Sequence, residues 1–267
     1  MRLVRCTYGA RRYWGVLEAA RVRLLEGDPY GKLAFLRKTV SLRDVALSVP
    51  ATPTKIVLVG LNYKDHAKEL GMRTPREPVI FLKPVTSLAA CGCDIVYPKA
   101  ASRLDYEAEL ALVIKKTARH VRPKETGNYI LGYTCLNDVT ARDLQKKDGQ
   151  WTRAKSFDTF CPVGPWVETA LDASSVAIAS YVNGAVRQRS STSEFIFTIP
   201  RLVSFISGIM TLLPGDIIST GTPAGVGPLR PGDIVEVKIE GIGCLENRVV
   251  AENPKKELQD GFGCDKI

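Results

Sequence analysis

Glu107 and Glu109 stand two apart in LDYEAELALVIKK, residues 104 to 116. On a β-strand, side chains two apart share a face. Tyr106, Ala108, Leu110, Leu112 and Ile114 then form one apolar face. The two glutamates open the opposite face, which turns apolar at Ala111 and Val113. Two carboxylates side by side on a buried strand repel. Protonating one, or pairing both with Arg or Lys, relieves the repulsion. A shared divalent cation does the same, and hard Mg²⁺, Mn²⁺ or Ca²⁺ prefers oxygen ligands. The local pattern leaves both solutions open.

Histidine is scarce, with only His66 and His120 in the chain. That excludes a histidine-rich zinc or iron site unless cysteines contribute. Any metal site must therefore be built mainly from carboxylates. Asp138, in CLNDVTARD, is a third acid, placed where an apolar run gives way to a loop or helix start. Its alternative role is a helix N-cap. His66 and Glu69, in DHAKE, are three apart and share one side of a helix. A carboxylate beside an imidazole holds its tautomer and raises its basicity, the arrangement of a general base. An ordinary surface pair has the same spacing. His120, among basic residues in KTARHVRPK, reads as a surface loop residue.

The elements that must position these groups are mostly strands. Residues 1 to 50 read as a small antiparallel module with turns at Tyr8-Gly9 and Glu26-Gly27-Asp28, followed by a proline-punctuated linker at 51 to 55. KIVLVGLNY supplies a strand, and DHAKELGM a short helix closed by Gly71. REPVIFLKP is another strand. GNYILGYTCLNDVT reads as helix or loop running into a strand, and TARDLQKKDG as a turn or two of helix stopped by Gly149. In IPRLVSFISGIM, apolar residues at 202, 205, 206 and 209 have the spacing of an amphipathic helix. DIISTGTP, DIVEVKIEGIG and CLENRVVAE add strands, the last two as a hairpin. Residues 251 to 267 read as a polar C-terminal tail. The predicted class is mainly β with some α. Helices do not alternate regularly with strands, which argues against a doubly wound sheet.

Composition is that of a soluble globular chain, with 45% hydrophobic and 24% charged residues among 267. The apolar runs are too short to span a membrane, and the N-terminus lacks a secretory signal core, so a cytoplasmic location is expected. The net charge is +9 (37 basic minus 28 acidic residues). The basic residues are spread along the chain without a nucleic-acid motif, so neither nucleic acid nor membrane is an expected partner. The cysteines, at 6, 91, 93, 135, 161, 244 and 264, include one C-x-C and no pairs at zinc spacing. Reduced, mostly buried thiols are expected, with a Cys91–Cys93 metal or redox pair as the lesser reading.

Six segments in this order, GLNYKDHAKEL, EPVIFLKP, DYEAEL, GYTCLNDVTARDLQ, WTRAKSFDTFCPVGPW and GDIISTGTPAGVG, resemble the fumarylacetoacetate hydrolase superfamily. The resemblance runs from about residue 55 to residue 250, and residues 1 to 50 resemble the smaller domain of many members. It implies a mixed β-roll and a homodimer. It makes Glu107, Glu109 and Asp138 the ligands of Mg²⁺ or Mn²⁺. His66 and Glu69 match a dyad that activates water, on a segment that often orders only with ligand. Lys155 matches a lysine near the metal that holds substrate oxygens, and Gln145 a residue that positions substrate or water. Lys83, Arg142 and Thr222 correspond to contacts of a 2-oxo acid or to supports of the metal shell. The implied activity is hydrolysis of a carbon–carbon bond in acylpyruvate-type 2-oxo acids. The same site also serves oxaloacetate decarboxylation, isomerisation and decarboxylation of 2-hydroxyhepta-2,4-diene-1,7-dioate-type products, or sugar-acid dehydration. A non-catalytic 2-oxo acid binding protein is the alternative outside enzymology.

Overall fold

Strands outnumber helices among the described residues, and in Ile234–Ile239 and Gly243–Ala251 buried, mainly apolar residues alternate with more exposed ones. A computed structural model describes residues 1–253. The tail from residue 254 onward, with Cys264, lies outside the described residues. Twelve strands form the largest sheet. Ten follow one path, Phe35–Ser41, Arg21–Leu25, Arg11–Glu18, Arg2–Tyr8, Cys161–Glu168, Ile130–Asn137, Ala108–Ile114, Ile217–Ser219, Ile56–Gly60, Val79–Lys83; off it, Ala46–Ser48 pairs with Arg2–Tyr8 and Leu88–Ala89 with Cys161–Glu168. The first fifty residues thus continue into the main sheet, where Arg2 and Leu3 pair with Glu168 and Val167.

A second sheet of five strands comprises Ala185–Ser191, Ala177–Val182, Ile234–Ile239, Gly243–Ala251 and Asp94–Tyr97. It contains the expected hairpin, Ile234–Ile239 against Gly243–Ala251. Ala108–Ile114 is buried on both faces, which explains its nearly unbroken apolar run. Ala108, Leu110, Leu112 and Ile114 pack with Ile178, Val237 and Leu245 of the second sheet. Ala111 and Val113 pack with Ile56, Leu58 and Val163.

The α-helices among the described residues are four and short: α1 (Lys64–Glu69), α2 (Arg142–Asp148), α3 (Thr152–Lys155) and α4 (Ile199–Ile209). Gly71, at φ 62°, follows the last turn of α1, and Gly149, at φ 71°, ends α2, conformations in which a Cβ would be strained. GNYILGYTCLN resolves as the end of a 3₁₀ helix, Pro123–Tyr129, entering the Ile130–Asn137 strand. In α4 the buried stripe is rotated from the expected one: Leu202, Val203 and Ile206 are buried, whereas Ile209 is 52% exposed. His120 is exposed, as expected.

Cys6, Cys91, Cys135, Cys161 and Cys244 are free thiols, but Cys93 is disulfide-bonded, which corrects the expectation of reduced thiols throughout; with Cys91 free, the two do not pair with each other. Burial pushes Cys6 up to about 11 and Cys161 up to about 12. Among the described residues, no helix is long and apolar enough to cross a membrane.

Candidate active site and metal centre

The stretch 104–116 is two strands rather than one. Leu104–Tyr106 pairs with Thr140–Ala141 and Gly227–Leu229 in a three-stranded sheet. Ala108–Ile114 pairs with Ile130–Asn137 and Ile217–Ser219 in the large sheet. Glu107 sits at the break. Buried side-chain amides hold the backbone there: the Glu107 amide donates to Asn137 Oδ1 at 3.0 Å, and the Ala108 amide to Gln188 Oε1 at 3.0 Å. The Asp138 amide donates to the Glu107 carbonyl at 2.9 Å, which brings the third acid alongside. Asp138 therefore caps no helix; α2 starts four residues later, after Ala141. Glu107, Glu109 and Asp138 each offer an oxygen within 4.8 Å of the others, and all three are buried.

Cations interleave with these acids. Lys155 Nζ donates to Glu107 Oε2 at 2.9 Å and also to Asp138 Oδ2. Lys83 Nζ donates to Asp138 Oδ1, to the Val139 carbonyl at 3.0 Å and to the Phe160 carbonyl at 2.5 Å. Arg142 donates to Glu107 Oε1, to Asp105 Oδ2 at 2.9 Å and to Gln145 Oε1 at 2.6 Å. Burial opposes ionisation of Glu107, but Lys155 and Arg142 outweigh it and hold the carboxyl well below the usual range. Among the described residues no cation hydrogen-bonds to Glu109, and the charge of Lys155 lowers its carboxyl less than burial and Asp138 raise it. Burial, then the negative charge of Asp138, pushes its carboxyl up to about 8. Its Oε2 accepts from the Ser219 hydroxyl and from the Gly221 amide at 3.0 Å.

Both ways of relieving the repulsion are thus at hand: Glu107 is paired with Lys155 and Arg142, and the shift of Glu109 is toward its protonated form. This arrangement also fits a divalent cation. Three clustered carboxylates form an all-oxygen donor set suited to a hard ion. Such an ion would compete with a proton for Glu109.

His66 and Glu69 do meet on α1, with Nδ1 and Oε2 2.8 Å apart. The helix is tied down at both ends. At its start, Asn62 accepts from the Phe197 amide at 2.7 Å and donates to the Thr220 carbonyl at 2.8 Å. Asp65 Oδ2 accepts from the Ser190 hydroxyl at 2.6 Å. At its end, Glu69 Oε1 accepts from the Gly225 amide at 3.0 Å.

A cavity of about 300 Å³ joins the two halves. His66, Glu107, Glu109, Asp138, Arg142, Gln145, Lys155 and Thr222 all line it. Leu70, Met72, Phe81 and Trp151 supply its apolar wall. Of the predicted residues, Glu69 stands behind His66. Lys83 stands behind Asp138 with a fully buried side chain and all its donors committed. Lys83 is not among the residues that line the cavity. Thr222 faces the cavity, but its hydroxyl donates to the Ala108 carbonyl at 2.9 Å. A larger cavity of about 480 Å³ lies elsewhere, near Tyr133 and Phe195, with Asp172 as its only charged side chain.

Asp105, Asn137, Gln188, Ser219 and Gly221 were not foreseen. Only Asp105 carried a signal, since 105, 107 and 109 alternate along one strand face. The others arrive from distant segments.

Comparisons with known proteins point to one family. The profile described as "Fumarylacetoacetate (FAA) hydrolase C-terminal" matches residues 55–250. A second, "Rv2993c-like, N-terminal", matches residues 1–50. The chain is 39% identical over 219 residues to a Rattus norvegicus protein named "Oxaloacetate tautomerase Fahd2a, mitochondrial", covering 78% of this chain and 70% of that one. It superposes on a 5-carboxymethyl-2-hydroxymuconate delta-isomerase from Mycobacterium smegmatis with a TM-score of 0.90 and 44% identity, over 94% of this chain and 100% of that one. A maleylpyruvate hydrolase from Sphingobium sp. SYK-6, solved with manganese(II) and pyruvate, superposes with a TM-score of 0.78 and 30% identity, over 95% and 100% of the two chains.

Proposed function

The chain belongs to the fumarylacetoacetate hydrolase family, and from that premise we propose a divalent-cation-dependent hydrolase that cleaves a carbon–carbon bond in acylpyruvate-type 2-oxo acids. One observation carries the reading: His66, held by Glu69, lines the same cavity as the three clustered carboxylates. Glu107, Glu109 and Asp138 would hold the ion, Mg²⁺ or Mn²⁺. When bound, it would supply a Lewis acid that draws electron density from the keto group and favours the enolate.

The residues of the chain do the rest. With Nδ1–H donated to Glu69, Nε2 of His66 carries the lone pair and takes a proton from water. The resulting hydroxide oxygen bonds to the distal carbonyl carbon. The carbon–carbon bond then breaks, and its electrons go to the pyruvate enolate. The other product is a carboxylic acid. The His66 imidazolium returns its proton to the enolate carbon. Lys155 donates to Glu107 and to Asp138, which leaves its third ammonium hydrogen for a substrate oxygen. Arg142 holds Gln145 by its carbonyl oxygen, which leaves the Gln145 amide N–H groups for substrate or water.

The names of the rat relative and the mycobacterial isomerase favour a second reading on the same residues. There His66 moves a proton between carbon and oxygen of an enolisable 2-oxo acid, and no water is consumed. The deciding experiment incubates metal-stripped protein with acetylpyruvate, and separately with oxaloacetate, with and without Mn²⁺. Mn²⁺-dependent formation of acetate and pyruvate, lost in His66→Ala, is the expected result. A His66→Ala variant with full hydrolysis sinks the mechanism. Turnover of oxaloacetate alone makes the second reading the better one if it is keto–enol exchange, and makes the site a decarboxylase if CO₂ is released. Tight 2-oxo acid binding without turnover indicates a binding protein. The reading takes the enzyme as a homodimer, to be checked by light scattering on the purified chain.

A further inference from the structure

Gln188 lies on the Ala185–Ser191 strand of the second sheet and is 1% exposed. It does not belong to the strand that carries the acids, yet it closes that strand's break. Its Oε1 accepts from the Ala108 amide at 3.0 Å, between the two glutamates. Its Nε2 donates to Thr222 Oγ1 and to the Pro223 carbonyl, both at 2.8 Å. The amide orientation is unambiguous, because Ala108 N–H can only donate and Pro223 C=O can only accept. Thr222 completes a ring by donating to the Ala108 carbonyl at 2.9 Å.

The loop that Gln188 holds reaches both halves of the site. Gly221, just before Thr222, donates to Glu109. Gly225, just after Pro223-Ala224, donates to Glu69, the partner of His66. The Gly225 carbonyl accepts from the Tyr106 hydroxyl at 2.9 Å. Gly225 is also pressed against the Gln188 strand, where a Cβ would stand 2.4 Å from the Arg187 carbonyl oxygen. The pairing of Ala185–Ser191 with Ala177–Val182 slips beside Gln188, a bulge of the kind that re-aims side chains. Two residues further along, Ser190 holds Asp65 on α1. One strand thus grips the acid strand through Gln188 and the His66 helix through Ser190.

We propose that Gln188 is a positioning residue that couples the carboxylate metal centre to the His66–Glu69 helix. The proposal rests on the reading of Glu107, Glu109 and Asp138 as a metal centre. A cation that draws the three acids together pulls on Ala108. Gln188 passes that displacement to the 221–225 loop, and the loop and Ser190 seat α1. Metal binding and the placement of the general base then become one event.

The test uses the full chain with Mn²⁺ alone as the probe. It measures Mn²⁺ affinity, hydrogen–deuterium exchange of residues 64 to 69 with and without the ion, and the thermal midpoint. In the wild type, saturating Mn²⁺ is expected to slow exchange in α1. Gln188→Met, similar in length but unable to hydrogen-bond, should bind Mn²⁺ about 10-fold more weakly. At saturating Mn²⁺ its α1 should still exchange at the metal-free rate. Ser190→Ala cuts only the tie to α1; it should keep Mn²⁺ affinity within about twofold and lose part of the protection. A Gln188→Met protein that folds, binds Mn²⁺ as the wild type does and protects α1 equally would overturn the coupling. Should that variant fail to fold, undiminished α1 protection in Ser190→Ala overturns it instead. A wild type that takes up no Mn²⁺ would overturn the metal centre and this proposal with it.

Discussion

Glu109 is the acid of the cluster whose carboxyl is pushed upward. Its carboxyl titrates at about 8 in the fold, against an ordinary 4.5. The folded chain therefore keeps a proton that the unfolded chain loses between those values. Its contribution to stability is full below about 4.5 and is lost as pH rises through about 8. Each pKa unit corresponds to about 1.4 kcal/mol. Glu109→Gln mimics the protonated form and removes this slope. Thermal melts of metal-stripped protein across that range should show the wild type losing stability relative to the variant. Mn²⁺ should restore the wild type at the alkaline end and leave the variant nearly unmoved; parallel melting curves would count against the assignment. Asp105 offers a second check, because its carboxylate orients Arg142, which in turn holds Glu107 and Gln145. Asp105→Asn should lower kcat/KM by about 10-fold with a thermal midpoint close to the wild type, a loss of alignment rather than of fold. Glu107, Glu109, His66 and Glu69 could be singled out in the sequence because acid spacing on a strand and imidazole–carboxylate spacing on a helix have local meaning; Asp138 stood out only as an acid at the end of an apolar run, and the family resemblance made it a ligand. The reach of Lys83 to Asp138 had no such local sign.

At the scale of elements, the site is a meeting of a broken strand, a short helix and a glycine-containing loop. The break at Glu107 re-aims its side chain. A continuous strand would have kept residues 104 to 114 in one ladder; instead Leu104–Tyr106 turns to a different sheet. Gly221, at φ +93°, lets the loop pass so close that a Cβ would lie 2.9 Å from Asn62 Cβ and 3.1 Å from the Val59 carbonyl oxygen. Gly221→Ala should therefore displace the amide that holds Glu109. Mn²⁺ affinity, measured by titration, is expected to fall about 10-fold. Unchanged affinity would mean that the Gly221 amide contributes nothing to the acid cluster. The helices α1, α2 and α4 were readable from spacing and from Gly71 and Gly149, whose positive φ ends a helix. The break at Glu107 was not, since the alternation of apolar side chains continues across it without interruption.

Across the whole molecule, the first fifty residues and the rest share one sheet and one core. Leu3 and Val16 pack with Ile56, Val163 and Val167, and Arg2 and Leu3 extend the ladder from Cys161–Glu168. Removing residues 1 to 50 would bare that strand edge and the apolar side chains beneath it. The shortened chain should melt at lower temperature and associate; light scattering and thermal melts would show it, and a monodisperse product with the wild-type midpoint would contradict it. By itself, the sequence determined the mainly β class, the short helices, the acid pair and the dyad, because these follow from local periodicity and residue chemistry. Six ordered motifs also pointed to the family. Only the tertiary structure decided that the acid strand breaks, that Lys83 supports Asp138 from behind, and that Gln188 joins the two halves. The physical reason is that hydrogen bonds between segments far apart in the chain depend on how sheets stack, and no local spacing encodes that.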